Sequence, residues 1–176
     1  MIKLKTIGTR ILATTLAAVV VVGTGGATYA ATVGQTDPAG DAPARYDVSR
    51  ATYVNEGEVV RGVVKVPGIR RSVGNQFQLR VRPDRTDSTY LLVAKRYAGG
   101  RTSTRLVYIN VVGQRYTLPC TVRASWDFAN DRVSVWTRSR GYQCLTEKGA
   151  AYFDAHVGLP NRSAADHTAT TRVRRN

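Results

Sequence analysis

The chain has 176 residues, of which 26 are lysine or arginine and 12 are aspartate or glutamate, so its formal net charge is +14. This length allows one domain, and a hydrophobic content of 43% is enough to build a core. The chain has only two cysteines and two histidines, which excludes a disulfide-dense miniprotein and a four-cysteine zinc site.

The first thirty residues have the order of a secretory signal peptide. A basic start is followed by an uncharged, mostly apolar run over residues 11–22 and then by small residues. We expect cleavage between Ala30 and Ala31. An uncleaved membrane anchor is the alternative, but a spanning helix needs about 20 apolar residues and this run is shorter. The expected product is secreted, extracellular or associated with the cell wall, with no membrane span after cleavage.

The rest of the chain has the pattern of an all-β protein. Residues 31–45 are rich in Gly, Pro, Asp and Ala and are expected to form an acidic lead-in loop. Residues 46–160 contain eight or nine short segments of alternating character; in one of them Phe77, Leu79 and Val81 share a face. Because a single sheet would leave one apolar face bare, we predict an antiparallel two-sheet β-sandwich, jelly-roll-like in architecture.

Cys120 and Cys144 are both in the part expected to be exported. Thiols oxidise outside the cytosol, so the first expectation is a disulfide that closes a loop of 24 residues (144 − 120 = 24). A catalytic thiol is the alternative, but it would need a histidine partner.

The lead-in segment contains a group of carboxylates that could bind a metal ion. Asp37 and Asp41 flank a Pro-Ala-Gly turn, and Asp47 lies a few residues further on. Calcium prefers six to eight oxygen ligands from such flexible acidic loops. The simpler alternative is that Asp, Pro and Gly only form turns here.

The same segment carries a resemblance to known proteins. Asp37-Pro-x-Gly-Asp41, followed by Tyr46-Asp47-Val48, resembles the opening of family 9 carbohydrate-binding modules and of the glucodextranase C-terminal domain. The layout from Trp126 to Cys144 is also similar to that of uncharacterised secreted β-sandwich proteins of actinobacteria. The resemblance implies a sandwich with a calcium ion held by Asp37, Asp41 and Asp47. Those carbohydrate-binding modules clamp sugars between two exposed tryptophans, which Trp126 and Trp136 do not match in position.

Basic side chains with aromatic neighbours suggest a second kind of site. A positive face with aromatic steps binds anionic polymers through counterion release and stacking. The residues predicted for such a site are Arg80, Arg82, Arg138, Arg140 and Trp136. The alternative is a solvated sheet face that uses arginine for solubility. Residues 161–176 are polar and basic, and we predict that they form a disordered tail.

These observations predict a secreted protein without catalytic activity. Its twelve carboxylates give many possible pairs, of which the sequence selects none, and neither His156 nor His167 lies near a nucleophile motif. The expected partner is the cell wall or an extracellular anionic or carbohydrate polymer, not a specific nucleic acid, and the expected state is a monomer. The alternatives are an inhibitor or interaction module that uses the loop 96–104 or 138–142, and a carboxylate-dependent hydrolase.

Overall fold

The computed structural model describes residues 31–138, 144–145 and 149–175. Its regular elements are twelve strands: β1 (Ala31–Thr36), β2 (Arg50–Glu56), β3 (Val59–Lys65), β4 (Asn75–Pro83), β5 (Thr89–Arg96), β6 (Thr102–Ile109), β7 (Arg115–Leu118), β8 (Val122–Asp127), β9 (Arg132–Arg138), β10 (Ala151–Gly158), β11 (Ala164–His167) and β12 (Thr171–Val173). Within these residues there is no helix with the length and apolar character needed to cross a bilayer. The expected signal peptide lies outside the described residues.

The strands form two antiparallel sheets that pack against each other. The five-stranded sheet has the order β1-β2-β3-β9-β8, and the larger sheet has the order β11-β10-β4-β5-β6-β7, with β12 also paired to β10. Consecutive strands are joined as hairpins from β1 to β3 and from β4 to β7. Later in the chain, β9 pairs with β3 and β10 pairs with β4. The predicted two-sheet β-sandwich is confirmed.

The core lies between the sheets and follows from the alternation of the strands. Phe77, Leu79 and Val81 are buried, as their shared face predicted. The facing sheet contributes buried valines such as Val64 and Val135. A Cβ atom at Gly62 would lie 2.7 Å from Leu79 Cδ1, so the absence of a side chain there lets the two sheets approach closely.

The predicted boundaries of the domain were too narrow at both ends. The prediction of a loop over residues 31–45 is wrong for residues 31–36, which form β1 and pair with β2 along the whole strand. The disordered tail predicted over residues 161–176 is wrong for β11 and β12, both of which pair with β10. These short strands carry too few apolar residues for a periodic signal, and pairing with a neighbouring strand supplies their order instead.

Candidate functional site

Three carboxylates converge beside the loop that links β1 to β2. Asp37 follows directly after β1, Asp41 lies in the turn that comes next, and Asp166 is on β11. One carboxylate oxygen from each residue lies within 4.8 Å of the others. The structure thus brings together two of the predicted ligands, Asp37 and Asp41. The third carboxylate comes from a strand that follows Asp41 by 125 residues (166 − 41 = 125).

Hydrogen bonds from the backbone hold this loop in place. Asp47, the third predicted ligand, accepts a bond of 2.9 Å at Oδ2 from the N–H of Gly40. Gly40 has a φ of +90°, a conformation that favours glycine and closes the turn. Asp166 accepts bonds from Val48 N–H at 2.6 Å and from His167 N–H at 2.7 Å. Asp166 therefore joins Asp37 and Asp41 in the cluster, while Asp47 contacts the turn beside it.

The electrostatics of the cluster favour a cation. The pKa of Asp37 is raised to about 6, mainly by burial and further by the nearby carboxylates of Asp166 and Asp41. Oδ2 of Asp37 and Oδ1 of Asp47 are buried without a hydrogen-bond partner. Buried oxygens of this kind are costly unless something satisfies them, and a hard cation would do so while removing the repulsion between carboxylates. The donor set, which is all oxygen, matches calcium.

The sequence contained no signal that could have identified Asp166. It stands alone in the segment Ala-Ala-Asp-His, within residues expected to be disordered. Only the pairing of β11 with β10 carries it to the loop after β1.

The acidic cluster also contains a carboxyl with a raised pKa, as an enzyme acid would need. However, five cavities among the described residues are lined by other side chains and not by Asp37, Asp41 or Asp166.

The residues predicted to bind a polymer divide between the two outer faces of the sandwich. Arg80 and Arg82 alternate with buried Leu79 and Val81, so they point outward from the larger sheet. Trp136 and Arg138 point outward from β9 in the five-stranded sheet. Because the sheets pack by their inner faces, these two pairs face in opposite directions. Arg140 lies outside the described residues.

Arg80 and Arg82, on the larger sheet, already have partners. Arg80 Nε donates to Asp154 Oδ1 at 2.8 Å, and His156 Nε2 lies 2.5 Å from Asp154 Oδ2. Burial alone would raise the pKa of Asp154, but these hydrogen bonds bring it below its usual value. The guanidinium of Arg82 lies over the ring of Tyr152, 5.1 Å from its centre. These contacts give Arg80 and Arg82 structural roles on this face.

The outer face of the five-stranded sheet carries an open groove of about 710 Å³. Residues paired across the strands form three rows. The first row is Arg50, Lys65, Arg132 and Asp127; the middle row is Thr52, Val63, Ser134 and Ser125; the third row is Val54, Arg61, Trp136 and Arg123. The middle row consists of small, neutral side chains, so it forms a floor between two basic walls. We call this feature the basic groove.

The cations of the basic groove are available to a ligand. Arg50, Arg61, Lys65 and Arg132 all line it, whereas Asp127 is its one carboxylate among the described lining residues. Among the described residues, no ion pair joins Arg50, Arg61 or Lys65 to a carboxylate. Asp127 accepts hydrogen bonds from the side chain and backbone of Asn130, which occupy both of its oxygens. The groove is therefore a positive surface with few internal partners.

The two tryptophans do not form a clamp for a neutral sugar. Trp126 is on the inward side of β8 and packs against the core, while Trp136 points outward from β9. The guanidinium of Arg61 lies over the ring of Trp136, 5.6 Å from its centre, and covers one of its faces. A pair of exposed indoles that could hold a sugar ring between them is thus not present in the described residues.

The predicted disulfide is confirmed. Cys120 and Cys144 are bonded, with their Cα atoms 5.8 Å apart and 24 residues between them in sequence. Cys120 lies between β7 of the larger sheet and β8 of the five-stranded sheet, and Cys144 follows β9. The bond fastens the crossing between the sheets and leaves no free cysteine in the described residues.

No protein-family model matches the chain. The search of curated proteins likewise found no match.

Proposed function

We propose that the protein is a non-catalytic binding module that holds an anionic extracellular polymer in the basic groove. The observation that carries this proposal is the pair of cationic rows on either side of a floor of small side chains. The export expected from the sequence would place this groove outside the cell, where wall polymers bearing phosphate or carboxylate groups are the natural ligands. We also propose that the protein acts as a monomer.

The dimensions of the groove favour one extended polymer chain. The two walls lie four residues apart along each strand, which corresponds to about 13 Å at the rise of a β-strand. Across the four strands that line it, the groove extends for about 14 Å, since neighbouring strands are about 4.8 Å apart. Phosphate or carboxylate groups spaced along such a chain can contact the arginines and lysine of both walls.

The covered face of Trp136 favours an anionic ligand over a neutral one. Neutral sugars bind largely by stacking on open aromatic faces, and Arg61 occupies one face of this indole. An anion can instead bind to Arg61 where it lies. The proposed calcium ion, held by Asp37, Asp41 and Asp166, would stabilise the loop after β1, and none of these three residues lines the groove.

The test is a titration with teichoic acid rich in glycerol phosphate at several salt concentrations. A contact with three or four phosphates predicts that log K falls with log salt with a slope of about −2 to −3, using about 0.7 for each contact with a single-stranded polyanion. The double variant Lys65→Gln, Arg132→Gln removes one cation from each of two neighbouring strands of a single wall. It should reduce the slope by about 1.4.

A matched control removes the same charge from the opposite sheet. Arg105→Gln, Arg115→Gln changes two exposed arginines of β6 and β7 and leaves the groove intact. It should keep the slope of the wild type. Equal losses in both double variants would show general charge attraction and overturn the proposal, as would equally tight binding of a neutral glucan.

A further inference from the structure

The exposed, large apolar side chains of the described residues all belong to one hairpin, between β6 and β7. Val111 and Val112 at its tip are 70% and 72% exposed, and Tyr116 on β7 is 48% exposed. Single exposed apolar residues are common on protein surfaces, but three in one hairpin form a local patch. We call residues 109–116 the apolar tip.

The apolar tip is held in one conformation by its own polar residues. The side-chain oxygen of Asn110 accepts hydrogen bonds from Val112 N–H at 3.2 Å and Gln114 N–H at 2.9 Å. The Asn110 amide donates to Gln114 Oε1 at 3.0 Å, and the hydroxyl of Tyr116 donates to the same oxygen at 2.7 Å. The valines are thus presented by a preorganised turn, which lowers the entropy cost of binding.

Tyr116 is exposed because the two sheets differ in width. Tyr90, Tyr108 and Tyr116 follow one another across β5, β6 and β7 on the face turned toward the other sheet. Tyr90 is buried, but Tyr116 is not, because the five-stranded sheet ends at β8, which packs against β5 and β6. An aromatic ring and two valines therefore face solvent at an uncovered corner.

Two arginines lie on the larger sheet beside this corner. Arg105 and Arg115 are both exposed and line one cavity on the outer face of this sheet. Arg115 pairs with Ile109 directly below the turn. The hairpin thus has apolar side chains at its apex, a tyrosine beside them and an arginine below them. This order matches the layers of an anionic membrane, in which hydrocarbon, interface and charged headgroups follow one another.

We propose that the apolar tip inserts into the surface of a membrane that contains anionic lipid. Val111 and Val112 enter the region between headgroups and acyl chains, Tyr116 stays at the interface, and Arg115 contacts lipid phosphates. This site is distinct from the basic groove and does not depend on polymer binding. A pocket of a partner protein or a second copy of this chain could also cover two valines, but the two arginines beside the tip favour an anionic surface.

The test is co-sedimentation with vesicles of phosphatidylglycerol and phosphatidylcholine in equal parts, against phosphatidylcholine alone. We expect binding only to the anionic vesicles. Val111→Ser, Val112→Ser should lower the partition coefficient at least tenfold without changing the net charge. Arg115→Gln should lower it about fivefold, the effect of one basic residue close to a membrane surface. The control Arg132→Gln, with the same charge loss on the opposite sheet, should change it less than twofold.

A second measurement detects insertion itself. The fluorescence of the variant Val112→Trp, corrected for that of the wild type, should shift to shorter wavelength on the anionic vesicles and be quenched by brominated acyl chains. Vesicle binding that survives the double serine substitution would overturn the proposal, because adsorption would then be purely electrostatic. Absence of vesicle binding would overturn it too, as would a dimer in solution that the serine substitutions dissociate.

Discussion

At the scale of single residues, Asp37 combines burial with repulsion from neighbouring carboxylates. It is partly buried beside Asp41 and Asp166, its pKa is raised to about 6, and one of its oxygens has no hydrogen-bond partner. The sequence identified Asp37 and Asp41 because they flank a turn in a short segment. It could not identify Asp166, because proximity across more than a hundred residues is a product of strand pairing.

The raised pKa of Asp37 predicts how stability varies with pH when no cation is bound. The folded protein holds the proton more tightly than the unfolded chain, whose Asp pKa is near 3.8. The contribution of Asp37 is therefore complete below that value and is lost as the pH rises through about 6. In chelator, Asp37→Asn should remove this loss. The difference between variant and wild type in urea denaturation from pH 4 to 7 isolates it from Asp154, whose lowered pKa acts in the opposite direction.

The same variant tests the proposed calcium ion. Calcium should raise the melting temperature of the wild type at neutral pH, since a ligand that binds only the folded state stabilises it. It should have no such effect on Asp37→Asn, while the control Asp87→Asn, an exposed carboxylate between β4 and β5, should respond like the wild type. Equal melting temperatures of the wild type in calcium and in chelator would eliminate the site.

At the scale of elements, the disulfide fastens the point where the chain crosses from one sheet to the other. Cys120 lies between β7 and β8, which are edge strands of different sheets. Edge strands have neighbours on one side only, so they are the elements that separate most readily from a sandwich. A covalent link at this crossing restricts that local opening as well as the unfolded chain.

Removal of the disulfide should therefore lower stability by a measurable amount. For a loop of 24 residues, chain entropy predicts a loss of about 3 kcal/mol. Urea denaturation of Cys120→Ser, Cys144→Ser should show this loss under oxidising conditions. Reducing agent should bring the wild type to the level of the variant and leave the variant unchanged. Two reactive thiols in the protein purified from culture medium would contradict the bond.

At the scale of the whole molecule, the two ends of the described chain complete the sandwich. The hydroxyl of Thr171 donates to Gln35 Oε1 at 2.6 Å, which joins β12 to β1. Thr168 Oγ1 accepts from Ala155 N–H at 3.0 Å and lies 2.5 Å from the hydroxyl of Tyr53 in the other sheet. Val173 is completely buried. The segment predicted as a tail is thus part of the core.

A chain that ends at Pro160 should consequently fail to fold stably. It would lose β11 and β12, the buried partner of Val48 N–H, and a core side chain. Loss of several buried hydrogen bonds and one core valine costs more than a typical domain can spare. Proton NMR dispersion should collapse in this truncated form. Removal of Asn176 alone is the control and should leave the spectrum unchanged. A folded spectrum from the truncated chain would show that the last two strands are dispensable.

Local patterns predicted those features that depend on neighbouring residues. Alternation along β4 predicted that Phe77, Leu79 and Val81 would be buried on one face of the strand, because successive side chains of a strand point to opposite faces. The same rule placed Arg80 and Arg82 outside. The pairing of Cys120 with Cys144 needed no geometry, since only two cysteines exist and export favours oxidation.

The amino-acid sequence by itself thus determined the class of fold, the inward faces of the strands and the disulfide. Tertiary structure alone decided which strands became neighbours. That choice brought Asp166 to Asp37, set Arg80 and Trp136 on opposite outer faces, and aligned Arg50, Lys65 and Arg132 in one row of the basic groove. The physical reason is that the two-residue repeat of a strand is local, whereas strand order and register are set by packing between segments that are distant in the chain.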